Sequence, residues 1–333
     1  MFVPRGAGRY LVELARWSRV GSVGVSSWIS ARPLYSALRD SRGTEVDVFG
    51  EVFVPWLDEV GAAYRDLLEP VVMYGDWWPS EVATDGSEAY LSEELYALSR
   101  VIDVVLLGAQ PSVDPARGQP WAHALHGADG WPTATHQQLT DLLAGIGAAR
   151  IREPRFDPFL HEIVGVEQAD RDDAPVEVLR ELWPAFMLGE LLLCRAGVVV
   201  RAGSEFLAHG AADMYPLYWT FLRRHRHTVD LSYGWGHNSQ WNTAFRRDYR
   251  TRDYDYLNVD GRGSIEEPAH PEIFCYPEHA QEPTVLLTPA ERRDLVRHRT
   301  LLRPPEYHLV WESSWEFQFD PFEWPLSIRR EHA

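Results

Sequence analysis

The 333-residue sequence contains no lysine, so all 32 of its basic residues are arginine. Schiff-base enzymes, pyridoxal-phosphate enzymes that use their own lysine, P-loop NTPases and standard protein kinases all require a lysine amine. This chain can supply none of them, and all four classes are excluded. Codon bias in a GC-rich bacterial genome explains the use of arginine throughout, so we expect a bacterial protein.

Cysteine is scarce, and long apolar runs are missing. Cys194 and Cys275 are the only cysteines and lie 81 positions apart without a CxxC spacing, which favours a reducing compartment over a disulfide scaffold. No apolar run reaches the roughly 20 residues that a membrane span requires. The N-terminal residues also lack the apolar run of a signal peptide. We therefore expect a soluble, cytoplasmic protein without membrane contact.

Familiar catalytic motifs are absent as well. His161 begins a stretch that resembles HExxH, but Gly165 stands where the second zinc-binding histidine is required. There is no GxSxG nucleophile elbow, and no GxGxxG sequence follows a predicted strand. The sequence thus leaves open whether the protein is an enzyme.

The net charge of −17 is distributed unevenly along the chain. Residues 1–42 carry +5, residues 43–190 carry −19 and residues 191–333 carry −3. Excess acid opposes nucleic-acid binding because the phosphate groups are repelled. It favours a basic protein as a partner, although excess acid also serves solubility alone.

Helical patterns precede strand patterns in this sequence. Apolar spacing predicts helices within 57–69, 92–108, 135–147 and 175–197, while 44–54 alternates like a strand or hairpin. Strands are predicted at 197–203, 227–236, 239–249, 254–261 and 307–319. Between them, Thr288, Pro289 and Glu291 form a capping box that begins a late helix.

This order predicts an α+β fold, in which a mainly helical N-terminal two-thirds packs on a mostly antiparallel C-terminal sheet. An α/β arrangement is the alternative. The corresponding division is a mainly helical region at 1–196 and a β-rich region at 197–333, or else a single integrated domain.

The segment 223–252 is basic within an acidic chain, with seven arginines against Asp230 and Asp248. If 236–249 is extended, the alternation of side chains puts the polar groups on one face and the aromatic groups on the other. The polar face would consist of Asn238, Gln240, Asn242, Arg246 and Asp248. Amide and guanidinium groups suit bidentate recognition of carboxylate, phosphate or amide groups, and Arg224 would be a second anchor.

His237 is the predicted proton-transfer group of this site, and Asp248 or Glu190 would orient it. Glu190 interrupts an apolar pattern, and on a helix it would share a face with Trp183, Met187 and Cys194. Its carboxylate would then point inward, as part of a structural ion pair or as a general acid.

A metal site is a weaker alternative for the same region. His225, His227 and His237 could bind a divalent transition metal, but the arginines around them disfavour a cation. No other cofactor is implied.

Two functions remain open from the sequence. The first is binding or conversion of an anionic or amide-bearing small molecule by acid–base hydrolysis or rearrangement, and its alternative is that 223–252 forms a purely structural polar network. The second is an acidic interaction protein, immunity-like or regulatory, that masks a basic protein. For that contact we expect Trp77, Trp78 and Trp131 to be exposed.

Overall fold

The computed structural model describes residues 29–75, 87–107, 109, 130–212, 247–259, 261, 264–266, 288–304 and 324–331. Helix α1 spans Arg32–Asp40. A continuous helical run, α2, consists of the segments Phe49–Phe53, Val54–Trp56, Leu57–Gly61, Ala62–Leu68 and Glu69–Val71. Helices α3, α4 and α5 span Ser87–Leu106, His136–Gly145 and Pro289–His298. In this part of the chain, no helix is long and apolar enough to cross a membrane.

Nine strands in the described residues form two sheets. They are β1 (Ala149–Ile151), β2 (His161–Gln168), β3 (Glu177–Trp183), β4 (Ala185–Leu188), β5 (Leu191–Cys194), β6 (Ala196–Ala202), β7 (Tyr249–Arg250), β8 (Tyr254–Leu257) and β9 (Leu326–Arg329). The larger sheet is antiparallel, in the order β1-β4-β5-β7-β8-β9. In the smaller sheet, β6 lies between a parallel β2 and an antiparallel β3.

Helices followed by mostly antiparallel strands confirm the predicted α+β fold. The larger sheet joins strands from both sides of residue 196. The division into two regions at that residue stays a prediction.

Strands β4 and β5 are buried on both faces, which explains one wrong prediction. Phe186, Leu188 and Leu191 pack in a core with the helices. Met187 and Leu192 pack in a second core with α5 and the smaller sheet. A strand buried on both faces has a near-continuous apolar sequence, so its period of two is hidden. The helix predicted at 175–197 is therefore wrong, and β3, β4 and β5 take its place.

The strand or hairpin predicted at 44–54 is also wrong, because α2 begins within it. Phe53, Trp56, Val60 and Tyr64 are buried at helical spacing, and this pattern overrides the alternation.

The other predicted helices are confirmed, whereas α1 was not predicted. Helices form within 57–69, 92–108 and 135–147, and α5 has the predicted capping box at Thr288. Strands β6 and β8 confirm the predictions at 197–203 and 254–261. The strands predicted at 227–236 and 307–319, and most of the one at 239–249, lie outside the described residues.

Candidate functional site

A buried ion cluster forms where β5, β7 and the end of α5 meet. Asp248, immediately before β7, lies at its centre and is 2% exposed. Its Oδ2 atom accepts hydrogen bonds from Nη1 of Arg195, at 2.9 Å, and from Nη2 of Arg299. Its Oδ1 atom accepts from the backbone N–H of Asn258 at 2.8 Å. Two guanidinium groups thus share one carboxylate in the protein interior.

Backbone geometry brings these side chains together. The carbonyl of Asp248 accepts from the Leu192 N–H at 2.9 Å, which holds Asp248 beside β5. Arg299 ends α5 with a φ of 61°, a left-handed conformation that turns the chain sharply. The next residue, Thr300, donates its hydroxyl to the carbonyl of Ala212 at 2.8 Å. Asp248 and Ala212 lie on the two sides of 213–246. They are therefore held at neighbouring residues, Asp248 at Arg299 and Ala212 at Thr300.

The two sides of the Asp248 ion pairs differ in their electrostatic balance. Burial alone would raise the pKa of Asp248, but the charges of Arg299 and Arg195 hold it below its usual value. For Arg195, burial and the charge of Arg299 outweigh the attraction of Asp248 and Glu162, and its pKa falls to about 10. Arg195 stays protonated at neutral pH despite its burial and the charge of Arg299.

One edge of the Arg195 guanidinium lacks a hydrogen-bond partner among the described residues. The side chain is 4% exposed, and within the described part of the chain its Nε and Nη2 atoms have no hydrogen-bond partner. These atoms carry the two parallel N–H bonds with which arginine binds a carboxylate or phosphate in a bidentate manner. Because buried donors are nearly always paired in native proteins, this edge indicates a place for an acceptor.

In Arg250 of β7, the corresponding Nε and Nη2 atoms are bound by a carboxylate. Its Nε and Nη2 atoms donate to the two oxygens of Asp255 at 2.7 and 2.8 Å. Its Nη1 and Nη2 atoms also donate to Asp157 at 2.6 and 3.0 Å. Burial would lower the pKa of Arg250, but these two carboxylates raise it. Arg250 of the segment 223–252 thus neutralises Asp157 of the acidic 43–190 region and has a structural role.

Three aromatic rings stack near Arg195. The ring of Phe156 stacks with those of His161 and His298, with its centroid 5.8 Å from each. The Nδ1 atom of His161 accepts from the backbone N–H of Asp157 at 3.0 Å. Nδ1 of His298 has no hydrogen-bond partner in the regions the structure covers, although the residue is only 8% exposed. Burial and two neighbouring arginine charges lower the pKa of His298 to about 3, so this ring is neutral at physiological pH.

Glu190 lies in the turn between β4 and β5, and its predicted helical environment is wrong. Its carboxylate accepts from the backbone N–H of Tyr74 at 2.9 Å, and its own N–H donates to the carbonyl of Val72 at 2.7 Å. The backbone N–H of Arg250 donates to the carbonyl of Glu190 at 2.9 Å. Glu190 therefore ties the segment that follows α2 to the larger sheet.

Most of the predicted site lies outside the described residues. This applies to Arg224, His225, His227, His237, Asn238, Gln240, Asn242 and Arg246. Of the predicted residues, Asp248 lies in the buried cluster, and its contact with His237 stays a prediction. Among the described residues, no group of three or more His, Cys, Asp or Glu side chains could hold a metal ion.

Sequence reasoning missed Arg195, Arg299 and His298. A usable signal existed for Arg195, which follows the apolar run LLLC directly, because a cation in such a run needs a buried partner. No comparable signal marked the end of α5, whose His298 and Arg299 resemble an ordinary basic helix terminus.

Trp131 is buried, not exposed as predicted. It is 7% exposed, its ring centroid lies 5.9 Å from that of Tyr35, and the guanidinium of Arg42 lies 5.0 Å from its ring. Trp77 and Trp78 lie outside the described residues. An exposed aromatic contact surface therefore receives no support from Trp131.

Comparison with protein-family models, with curated proteins and with solved structures returns no match to this chain. Neither a family nor a shared fold therefore bears on its function. The function has to be argued from the chemistry of the buried cluster.

Proposed function

We propose that the protein binds a small anion, carrying a carboxylate or a phosphate group, at the buried pair Arg195 and Arg299. The observation that carries this proposal is the open edge of Arg195. A bidentate anion would satisfy Nε–H and Nη2–H of Arg195 together, as Asp255 satisfies the same atoms of Arg250.

A second buried arginine shows why an anion is favoured over water. Nε and Nη2 of Arg100 also have no partner in the described residues, and its Nη1 donates to Asp103 at 2.6 Å. Burial acts against the charge of Arg100, but Asp103 together with Tyr96 and Tyr35 outweighs it, and the pKa of Arg100 is raised. A neutral acceptor such as water suffices there. The pKa of Arg195 is lowered instead, so a further negative charge would stabilise it.

The segment 223–252 would supply the rest of the site. Arg246 and Arg224 would anchor the ligand, Asn238, Gln240 and Asn242 would orient it, and His237 would transfer protons. Support comes from the attachment of Asp248, within this segment, at Arg299, and of Ala212, before it, at Thr300. Acid–base hydrolysis or rearrangement of an anionic or amide-bearing molecule, in the cytoplasm of a bacterium, is the broadest reaction class that fits these groups.

The test is binding of simple anions to the purified protein. Acetate and phosphate should raise the thermal unfolding temperature above that in chloride at equal ionic strength, and titration calorimetry should give saturable binding. Arg195→Lys removes the bidentate edge, and burial at this site favours loss of the lysine proton, so affinity should fall at least about tenfold. The matched control is Arg201→Lys on β6, whose exposed side chain pairs with Glu167 and should leave binding unchanged.

The proposal fails if acetate and phosphate act no differently from chloride on the wild-type protein. It fails equally if Arg195→Lys binds them as the wild type does. Should Arg195→Lys not fold, crystals of the wild type grown with acetate or phosphate decide the matter, since the anion must lie within hydrogen-bonding distance of Nε and Nη2 of Arg195.

The second candidate function is an acidic interaction protein that masks a basic partner. It is favoured by one observation: every acidic residue between 40 and 69 is exposed, namely Asp40, Glu45, Asp47, Glu51, Asp58, Glu59, Asp66 and Glu69. A salt-sensitive complex with a basic protein, retained in Arg195→Lys but lost when Asp58, Glu59 and Asp66 become Asn or Gln, would support it.

A further inference from the structure

Two hydrogen-bonding groups that have no partner among the described residues belong to the same cluster, on different elements. One is the Nε and Nη2 edge of Arg195, between β5 and β6, and the other is Nδ1 of His298 at the end of α5. His298 directly precedes Arg299, and Arg299 meets Arg195 on the same oxygen of Asp248. The charge of Arg195 also acts on the His298 ring. The shared contact with Asp248 thus links the element that carries Arg195 to the element that carries His298.

The histidine stack provides an internal reference for His298. His161 and His298 stack on Phe156 at equal centroid distances, and both rings are buried. Nδ1 of His161 accepts a hydrogen bond from the backbone of Asp157, whereas Nδ1 of His298 has no partner in the described residues. An imidazole held only by packing would do better as a phenyl ring, because an unsatisfied buried nitrogen costs free energy. The polar atom of His298 thus indicates a partner that is not among the described residues.

We propose that the anion held by Arg195 carries its own hydrogen-bond donor beside the charged group, and that this donor binds Nδ1 of His298. Anions of this kind are 2-hydroxycarboxylates and hydrogen phosphate. The inference rests on the proposed function and narrows its ligand from any small anion to a donor-bearing one.

The proposal requires Nδ1 of His298 to be an acceptor. A neutral imidazole has one N–H and one lone pair. If Nδ1 is the nitrogen that faces the nearby cations, the favoured tautomer turns its lone pair towards the positive charge. Nδ1 of His298 then needs an N–H or O–H group from the ligand.

Matched pairs of anions test this inference. Glycolate differs from acetate by one hydroxyl group, and hydrogen phosphate carries the O–H that sulfate lacks. Titration calorimetry on the wild-type protein at pH 7.5 should show that glycolate binds about tenfold more tightly than acetate, or hydrogen phosphate about tenfold more tightly than sulfate. The pair with the larger ratio identifies the ligand as a carboxylate or a phosphate.

Variants at His298 assign the preference to that residue. His298→Leu should bind acetate and glycolate with equal affinity, because the acceptor is gone while Arg195 is intact. His298→Asn places a side-chain oxygen near the position of Nδ1 and should restore part of the preference. Both variants should be compared with the wild type for their content of folded protein.

The outcomes separate this inference from the proposed function. If the wild type binds acetate and sulfate as tightly as glycolate and hydrogen phosphate, the inference is wrong and the proposed function stands. The same holds if the preference persists unchanged in His298→Leu. If none of the four anions binds to the wild type, both proposals are wrong. Because the wild-type ratios alone can contradict the inference, it stays testable even if His298→Leu does not fold.

Discussion

Removing the charge of Asp248 should be among the most destabilising single changes in this protein. The carboxylate accepts from Arg195, from Arg299 and from the backbone of Asn258, and it is 2% exposed. In Asp248→Asn the shape is kept, but two buried guanidinium groups lose the anion that they share. Arginine side chains keep their proton near neutral pH, so both positive charges stay buried without the anion that they shared.

The size of the effect follows from the burial of the partners. Breaking a buried ion pair by removing one partner typically costs about 3–5 kcal/mol, because an uncompensated charge is left behind. Domains of this kind unfold with roughly 5–15 kcal/mol, so Asp248→Asn should lose a large part of the free energy of unfolding. The control is Asp173→Asn, whose carboxylate pairs with Arg171 at the surface and should change stability by about 0.5 kcal/mol or less.

Urea unfolding at pH 7, followed by circular dichroism and tryptophan fluorescence, measures this difference. The pH dependence provides a second check. A lowered pKa for Asp248 means that its stabilisation is present above the unfolded-state pKa of about 3.9 and is lost as pH falls through the folded-state value. The gap between wild type and Asp248→Asn should therefore close in acid. A loss below about 1 kcal/mol at pH 7, with an unchanged slope against urea, would refute this account of the cluster.

Three further predictions concern other elements. Thr288→Ala should lower the free energy of unfolding by about 1 kcal/mol, since its hydroxyl caps α5, while Thr288→Ser should be neutral; equal losses in both would contradict this. Gly189→Ala should cost about 2 kcal/mol or more in urea unfolding, because Gly189 has a φ of 57° and a Cβ there would lie 2.7 Å from the Val72 carbonyl; a neutral effect would contradict it. Wild-type stability should rise with pH between about 3 and 6.5, because unfolded His298 binds a proton that the folded ring excludes, and His298→Phe should flatten this rise; an unchanged slope would assign it to other groups.

Local signals in the sequence were sufficient for the helix termini. The capping box of α5 depends on Thr288 and Glu291, three residues apart, and both of its hydrogen bonds form. The same holds at Thr135, where Gln138 completes a capping box for α4. Such features need no knowledge of distant residues, so the sequence alone predicts them.

Local sequence patterns were not sufficient to predict the strands β3, β4 and β5. Along β4, alternate side chains enter different cores, Phe186 with the helices and Met187 with α5. Which face a residue occupies depends on layers formed by distant parts of the chain, so the apolar run fits a helix and a strand equally well. The placement of Glu190 on a helix face failed for this reason.

The candidate site was harder still to predict. Arg299 and Asp248 are 51 positions apart, and Arg195 comes from a third part of the chain. The basic segment 223–252 drew attention because its charge is visible locally. Arg195 lies outside that segment, and its apolar neighbours are the only local feature of the sequence that distinguishes it.

The absence of lysine and the open edge of Arg195 are connected by one physical argument. A buried lysine that lacks an anion can lose its proton and become neutral, because its pKa moves readily with burial. Arginine does not lose its proton near neutral pH. Arg195 is charged there because its pKa, although lowered, is about 10. In a chain whose cationic side chains at neutral pH are all arginines, a buried positive charge has to be met by a fixed acid or by a bound anion. Asp248, which is shared with Arg299, and Glu162 are the fixed acids near Arg195, and the edge formed by Nε and Nη2 is where a bound anion would gain the most.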